Sequence, residues 1–171
     1  MSAFRFAFLP ALILLAAPVL CAQEAATPPP APIPSGILTG QKVFLANAGM
    51  DAYSQGLYGH FGVQPTEPYD ALYAALKSWG RFQLVAAPSD ADLVFEIHVV
   101  EQQTGCGVGT ADFQLLLTVY DAKTHFVLWT LTQPVQLANR AETWRKNIAG
   151  ANDNLIAQLK SLLTPAAPPQ P

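Results

Sequence analysis

Residues 93–101, LVFEIHVVE, alternate two kinds of side chain, and this period of two constrains the fold more than any other feature of the chain. One set of positions is wholly apolar: Leu93, Phe95, Ile97 and Val99. The positions between them are mixed and include Glu96 and His98. Because successive side chains of a strand point to opposite faces, the segment is predicted to be a β-strand with one buried face. The chain therefore needs a sheet with other elements packed on one side of it.

Further strands are predicted on both sides of this segment. Four runs have the apolar character of strands: residues 41–46, 82–86, 113–120 and 126–135. Residues 47–49, which contain Asn47 and Gly49, are interpreted as a turn-like end of the first of these strands. Residues 121–125, DAKTH, join the last two. A five-residue polar connection between two β-rich runs is typical of a hairpin.

Two segments repeat apolar side chains every three or four residues, which predicts amphipathic helices. The first covers residues 68–79, where Pro68 suits the first turn and Gly80 suits the C-terminal cap. The second covers residues 142–163. The two apolar stripes are Tyr69, Leu72, Tyr73, Leu76 and Trp79, and Trp144, Ile148, Ala151, Leu155, Leu159 and Leu162. The first half of the chain thus follows the order strand, loop, helix, strand of a βαβ-like unit.

These elements predict a single-domain α/β (α+β) sandwich, with a mixed, twisted sheet of about five strands and two main helices packed on it. The globular domain is expected to span residues 37–163. Proline-rich segments flank it, namely a linker over residues 23–36 and a disordered tail over residues 164–171. Proline fixes φ and removes a backbone donor, so we expect these segments to be extended and without a core.

Residues 1–22 have the pattern of a secretory signal peptide. Arg5 provides a small positive region, an apolar run follows over residues 6–20, and cleavage is expected between Ala22 and Gln23. Cys21 offers a second interpretation, that of a lipoprotein. Lipidation signals require a small residue before the cysteine, whereas Leu20 occupies that place here. We therefore expect an exported protein, periplasmic or secreted, with no stable membrane span in the mature chain and no anchor at Cys21.

The charge and cysteine content argue against a nucleic-acid binder and against a fold held by internal disulfides. Of the nine Lys and Arg residues, Arg5 leaves with the signal, so eight remain against 12 acidic residues and the net charge is −4. A nucleic-acid binder needs a concentrated positive face, and the basic residues are scattered along the chain. After cleavage Cys106 is the one remaining cysteine, so no internal disulfide is expected.

The segment TGCGVGT, residues 104–110, has three interpretations besides a simple loop. A phosphate-binding glycine loop must open a helix, and the flanking elements are predicted strands. A catalytic Cys106 needs a base nearby, and nothing in the sequence pairs it with His98. An intermolecular disulfide through Cys106 is the third. The simplest interpretation is a strand-to-strand loop whose glycines permit tight turning.

Metal and acid–base signatures are absent from the sequence. His60, His98 and His125 are the three histidines, and none has a metal-ligand spacing to another histidine or to a cysteine. Glu96 and Glu101 lie near His98 on the same predicted strand, which is typical of a solvated face. We assign no catalytic, cofactor-binding or metal-binding residue and expect no cofactor.

Residues 49–67, GMDAYSQGLYGHFGVQPTE, contain the candidate binding residues. Residues 51–67 are interpreted as irregular because of their glycines and Pro65. Tyr53, Tyr58, His60 and Phe61 lie among those glycines, beyond the carboxyl end of the first strand, where ligands of open α/β sheets often bind. Aromatic residues also form partner-binding surfaces. The alternative is that these rings fold back and cover a small core.

The segments SDADLVFEIHV and FQLLLTVYDAKTHFVLWT, followed by the closing helix, resemble uncharacterised bacterial envelope proteins and small lipoproteins. The resemblance depends on Ala91-Asp92-Leu93, on Asp121 and Thr124, and on Leu128-Trp129. Their arrangement is also similar to the α/β domains of curli-secretion-type lipoproteins and of the amino-terminal domain of the Tol-system translocation protein. The resemblance implies an envelope location and an accessory, non-enzymatic role, and it provides no catalytic residues.

The sequence thus favours an exported, non-enzymatic α/β module that binds another component of the cell envelope. Two alternatives remain. One is a periplasmic small-ligand binder or weak hydrolase, with its site at the same aromatic segment. The other is a structural homo-oligomer formed by pairing of sheet edges.

Overall fold

The computed structural model describes residues 31–60, 62–103 and 111–164. Its strands are β1 (Lys42–Met50), β2 (Gln83–Val85), β3 (Leu93–Gln103), β4 (Ala111–Asp121) and β5 (Val127–Val135). Its α-helices are α1 (Ser35–Thr39), α2 (Ala52–His60), α3 (Glu67–Trp79) and α4 (Ala141–Leu163). The predicted signal peptide, most of the linker, the TGCGVGT segment with Cys106, and residues 165–171 lie outside the described residues.

The five strands form one mixed sheet in the order β2-β1-β3-β4-β5. β1 runs parallel to both β2 and β3, whereas β3, β4 and β5 are antiparallel neighbours. The predicted hairpin between β4 and β5 is present, with residues 122–124 in its turn. The α/β class, the mixed sheet and the five strands are confirmed.

The core lies between one face of the sheet and the helices. The apolar set predicted for β3 is buried throughout, as are its neighbours on β4: Leu93, Phe95, Ile97 and Val99, with Phe113, Leu115, Leu117 and Val119. The opposite face of β3 carries the mixed residues, each of them partly exposed. The period of two in the sequence therefore reports which side of the sheet the helices cover.

The two long helices have the predicted apolar stripes. Leu72 and Leu76 of α3 are buried, and Gly80 ends that helix with a φ of 68°, a left-handed conformation that glycine adopts without strain. Five residues of the α4 stripe are buried: Trp144, Ile148, Ala151, Leu155 and Leu159. None of the helices in the described part of the chain is both long and apolar enough to cross a bilayer.

The two helices contact each other along their length. Arg145 of α4 pairs with Glu67 at the start of α3, and Lys160 lies 5.4 Å from the centre of the Trp79 ring at its end. The two helices therefore run in the same direction across the sheet.

The interpretation of residues 51–67 as irregular is wrong, because residues 52–60 form α2. The helix forms despite Gly56 and Gly59, which each cost about 1 kcal/mol relative to alanine. Tertiary packing offsets this cost, because Ser54 and Tyr58 lie one helical turn apart and both are buried.

The predicted end of β1 at Ala46 is also wrong, since the strand continues to Met50. The turn chemistry seen in the sequence is present, but it forms a β-bulge inside the strand. The side-chain oxygen of Asn47 accepts the N–H of Gly49 at 2.8 Å, and Gly49 has a φ of 78°. Pairing with β3 shifts register between these two residues and then resumes.

Candidate functional site

Tyr58, one of the predicted binding residues, lies in the core. Its ring stacks on Trp144 at 4.2 Å between centroids and contacts Phe113 at 5.3 Å. The residue is 1% exposed. Burial raises the pKa of its hydroxyl, and the nearby Asp51 carboxylate raises it further. Tyr58 therefore packs α2 onto the sheet and α4.

The other three predicted binding residues are not brought together with Tyr58. His60 is exposed at the last position of α2. The side chain of Tyr53 and the whole of Phe61 lie outside the described residues. A binding surface made of these aromatic residues stays a prediction.

Asp51 fixes the start of α2 against the sheet. One carboxylate oxygen accepts the N–H of Ser54 at 2.7 Å, which satisfies a donor of the first helical turn. The other accepts the N–H of Glu101 on β3 at 2.6 Å. Aspartate is a preferred residue just before a helix, and the glycines after Asp51 obscured that signal.

The polar residues of β3 contact neighbouring strands. Glu96 accepts a hydrogen bond from the hydroxyl of Tyr120 at 3.1 Å. His98 lies opposite Leu116 of β4, and His125 lies in the hairpin with a φ of 60°.

Within residues 31–60, 62–103 and 111–164, no group of three or more His, Cys, Asp or Glu residues could hold a metal ion.

The structure adds a concave site, which is a notch in the sheet edge. It forms because β2 is much shorter than β1: the two strands pair only from Lys42 to Phe44, and β2 ends at Val85. The cavity there measures about 340 Å³ and is lined by Phe44, Leu45, Tyr69, Tyr73, Leu84, Val85 and Ala86. We call this cavity the notch.

Two tyrosines of α3 form one wall of the notch. Tyr69 and Tyr73 are four residues apart and therefore lie on the same side of the helix. Their rings stack with centroids 6.4 Å apart. Tyr73 is 39% exposed, and Lys77 lies 6.0 Å from its ring centre. The wall thus combines two apolar ring surfaces with two hydroxyl groups.

The lining of the notch determines its chemistry. None of its seven residues carries a carboxylate, an imidazole, a thiol or an amine. Such a surface binds apolar and aromatic groups through burial of area, and it provides hydrogen bonds through backbone and tyrosine hydroxyl groups.

The sequence analysis did not predict the notch, although it placed two of its lining residues on one helix face. Tyr69 and Tyr73 belong to the apolar stripe of the first predicted helix. The exposed edge of β1 was missed because the strand was expected to end at Ala46. No pattern in the sequence reveals this edge, because β1 continues past Ala46 only through its pairing with β3.

No family model matches the chain, and no curated protein matches it. Among solved structures it is similar to a Xanthomonas campestris protein of the DUF330 family, with a TM-score of 0.44, 11% identity, and coverage of 74% of this chain and 85% of that one.

It is also similar to PelC, a dodecamer from Paraburkholderia phytofirmans, with a TM-score of 0.40, 20% identity and coverage of 74% and 90%. For a minor lipoprotein of Acinetobacter baumannii the TM-score is 0.35 at 15% identity, with coverage of 74% and 98%. At these TM-scores the similarity assigns neither a family nor a function to the chain. The expected similarity to the curli-secretion and Tol proteins stays a prediction.

Proposed function

We propose that this protein is an exported, non-enzymatic binding module of the bacterial cell envelope, and that its partner docks at the notch. The observation that carries the proposal is the notch itself, an uncharged aromatic cavity next to the part of β1 that β2 does not cover. The signal-like residues 1–22 and the proline-rich linker support export and display of the domain.

The notch has two properties of a docking site for a protein. Tyr73 is a large amphipathic ring that is held by its neighbour and is partly exposed, and tyrosines of this kind are enriched at interfaces. Asn47 and Ala48, which follow the lining residue Leu45 along β1, are also exposed. A partner that fills the notch buries both the ring and the edge.

Replacement of Tyr73 with alanine tests the proposal. The tagged protein is cross-linked in intact cells of its native host, recovered, and its attached proteins are identified by mass spectrometry. We expect Tyr73→Ala to lose the envelope partner and to retain the unfolding midpoint, because the ring is not part of the buried core. Equal recovery of the partner by Tyr73→Ala and by the unaltered protein would show that the partner does not dock at the notch.

The matched control is Phe126→Ala. Phe126 is 72% exposed beside the hairpin that precedes β5, at the opposite edge of the sheet. This variant also removes one exposed aromatic ring. We expect it to recover the partner as well as the unaltered protein does.

A second candidate function is the binding of a small apolar molecule. The volume of about 340 Å³ lies at the lower end of the range of about 300 to 1,000 Å³ for ligand pockets. Purified protein would be screened by thermal shift against an extract of small metabolites. A ligand at 100 times its Kd stabilises the folded state by about 2.7 kcal/mol, and Tyr73→Ala should abolish that gain.

A further inference from the structure

We propose that the notch takes an extended segment of a partner protein as an additional β-strand, placed in line with β2 and alongside residues 45–50 of β1. This inference rests on the proposed function, in that the same partner occupies the same notch. It adds that the notch recognises the backbone of the partner segment.

The direction of the β1 backbone groups follows from two hydrogen bonds. On the β2 side, the C=O of Gln41 accepts the N–H of Gln83 at 2.8 Å. On the β3 side, the C=O of Lys42 accepts the N–H of Asp92 at 2.9 Å. Backbone groups of a strand alternate between its two neighbours. The groups of Leu45 and Asn47 therefore point to the β2 side.

β2 ends before it reaches these groups. Phe44 and Val85 are the last paired residues of the two strands. Beyond them, in the part of the chain that the structure describes, no strand lies beside the C=O of Leu45 or the N–H and C=O of Asn47. β1 stays in strand conformation here because it pairs with β3 up to Met50. An ordered strand edge that no described strand covers is a template for another strand.

The notch provides contacts on both faces of an added strand. Tyr69 and Tyr73 lie on the side of the sheet that carries the helices. Phe44 and Val85 are paired across β1 and β2 on the opposite face of the sheet. Because side chains of a strand alternate between faces, successive residues of the segment would contact the tyrosines and then Phe44 and Val85.

These contacts define the chemistry of the occupant. The lining residues are uncharged, so a charged side chain would lose hydration without gaining a partner among them. Residues 45–50 of β1 lie at this edge and, because of the bulge, span only five residues of the neighbouring β3, from Phe95 to Val99. We infer a segment of about five residues, rich in β-branched or aromatic side chains and without charge at its centre.

The proline-rich segments of this chain do not have that chemistry. Residues 27–36 contain five prolines and residues 164–171 contain four. Proline has no N–H to donate to Leu45, and in sheets it is confined to positions that need no such bond. Neither segment therefore fits the notch, and we infer that the occupant is a segment of another protein.

The test uses a defined probe, the blocked peptide acetyl-SVTVTVS-amide, at millimolar concentration with ¹⁵N-labelled protein. The expected result is a shift of the amide resonance of Asn47 and slowing of its hydrogen exchange by about tenfold or more at saturation. Amides of β5, the opposite edge strand, should not change. The control is the same peptide with N-methyl groups on its five central residues, which keeps the side chains and removes the donors. We expect this peptide not to bind.

The outcomes separate this inference from the proposed function. Equal binding of both peptides, or protection of β5 amides without protection of Asn47, overturns strand addition, as does the absence of any change at the notch. The cellular capture that depends on Tyr73 can still succeed in each case. Conversely, protection of Asn47 by the peptide together with failure of cellular capture supports strand addition and overturns the proposed envelope partner.

Discussion

At the scale of the residue, the burial of Tyr58 could not be predicted from the sequence. The aromatic ring among glycines was visible in the sequence, and so were its two interpretations, a binding surface or a cover for the core. The ring is buried because Trp144 and Phe113, which are distant in sequence, meet it in space. Local sequence does not contain that information.

The hydroxyl of Tyr58 leads to a prediction. It is buried, and no described atom accepts or donates a hydrogen bond to it. Tyr58→Phe should leave the free energy of unfolding unchanged or raise it, because an unpaired buried hydroxyl is destabilising. Tyr58→Ala should lower it by about 3 to 5 kcal/mol, because it leaves a cavity beside Trp144. Urea unfolding of both variants measures the difference. A loss of more than about 2 kcal/mol in Tyr58→Phe would show that the hydroxyl has a partner.

At the scale of the element, the periodicity of apolar residues predicted the strands and helices whose patterns are local. The alternation of β3 and the stripes of α3 and α4 appear in the structure with boundaries within about two residues of those expected. The errors occurred at Asn47 and at the glycines of α2. Asn47 and Gly49 form the turn-like bond that their sequence predicts, but they form it within a strand that β3 holds in place. Pairing with a distant strand overrode the local signal.

Two aspartates also act at this scale, since each organises the end of a strand. Asp92 accepts the N–H groups of Lys42 at 2.9 Å and Gln41 at 3.0 Å, which joins the starts of β1 and β3. Asp121 accepts N–H groups of Thr124 and Lys123 in the hairpin. These bonds hold the pKa of both carboxyl groups below the usual value of 3.8. The Ala-Asp-Leu and Asp-x-x-Thr patterns of the sequence thus have a structural role.

The lowered pKa values predict a pH dependence. A carboxyl group whose pKa is lower in the folded state stabilises the fold above its unfolded pKa, and this contribution disappears as the pH falls through the folded value. Stability should therefore decrease from about pH 4 downward. The double variant Asp92→Asn, Asp121→Asn should be less stable than the unaltered protein at pH 7, with a smaller further loss in acid. Urea midpoints at pH 7 and pH 3 test this, and an unchanged acid dependence in the variant would contradict it.

At the scale of the whole molecule, the sheet order was not predictable from the sequence. Strand patterns identify the strands, but the order β2-β1-β3-β4-β5 depends on where each connection crosses the sheet. The notch arises from that order, because the shortest strand lies at the edge next to a long one. The tyrosine wall was within reach of sequence analysis, whereas the exposed edge of β1 required the fold.

The central claim is that a partner in the cell envelope occupies the notch. The most direct measurement places a photo-cross-linking phenylalanine analogue at position 73 or, as the control, at position 126, and irradiates intact cells of the native host. We expect a discrete product with an envelope protein from position 73 and none from position 126. No product from position 73, or the same product from both positions, would contradict it.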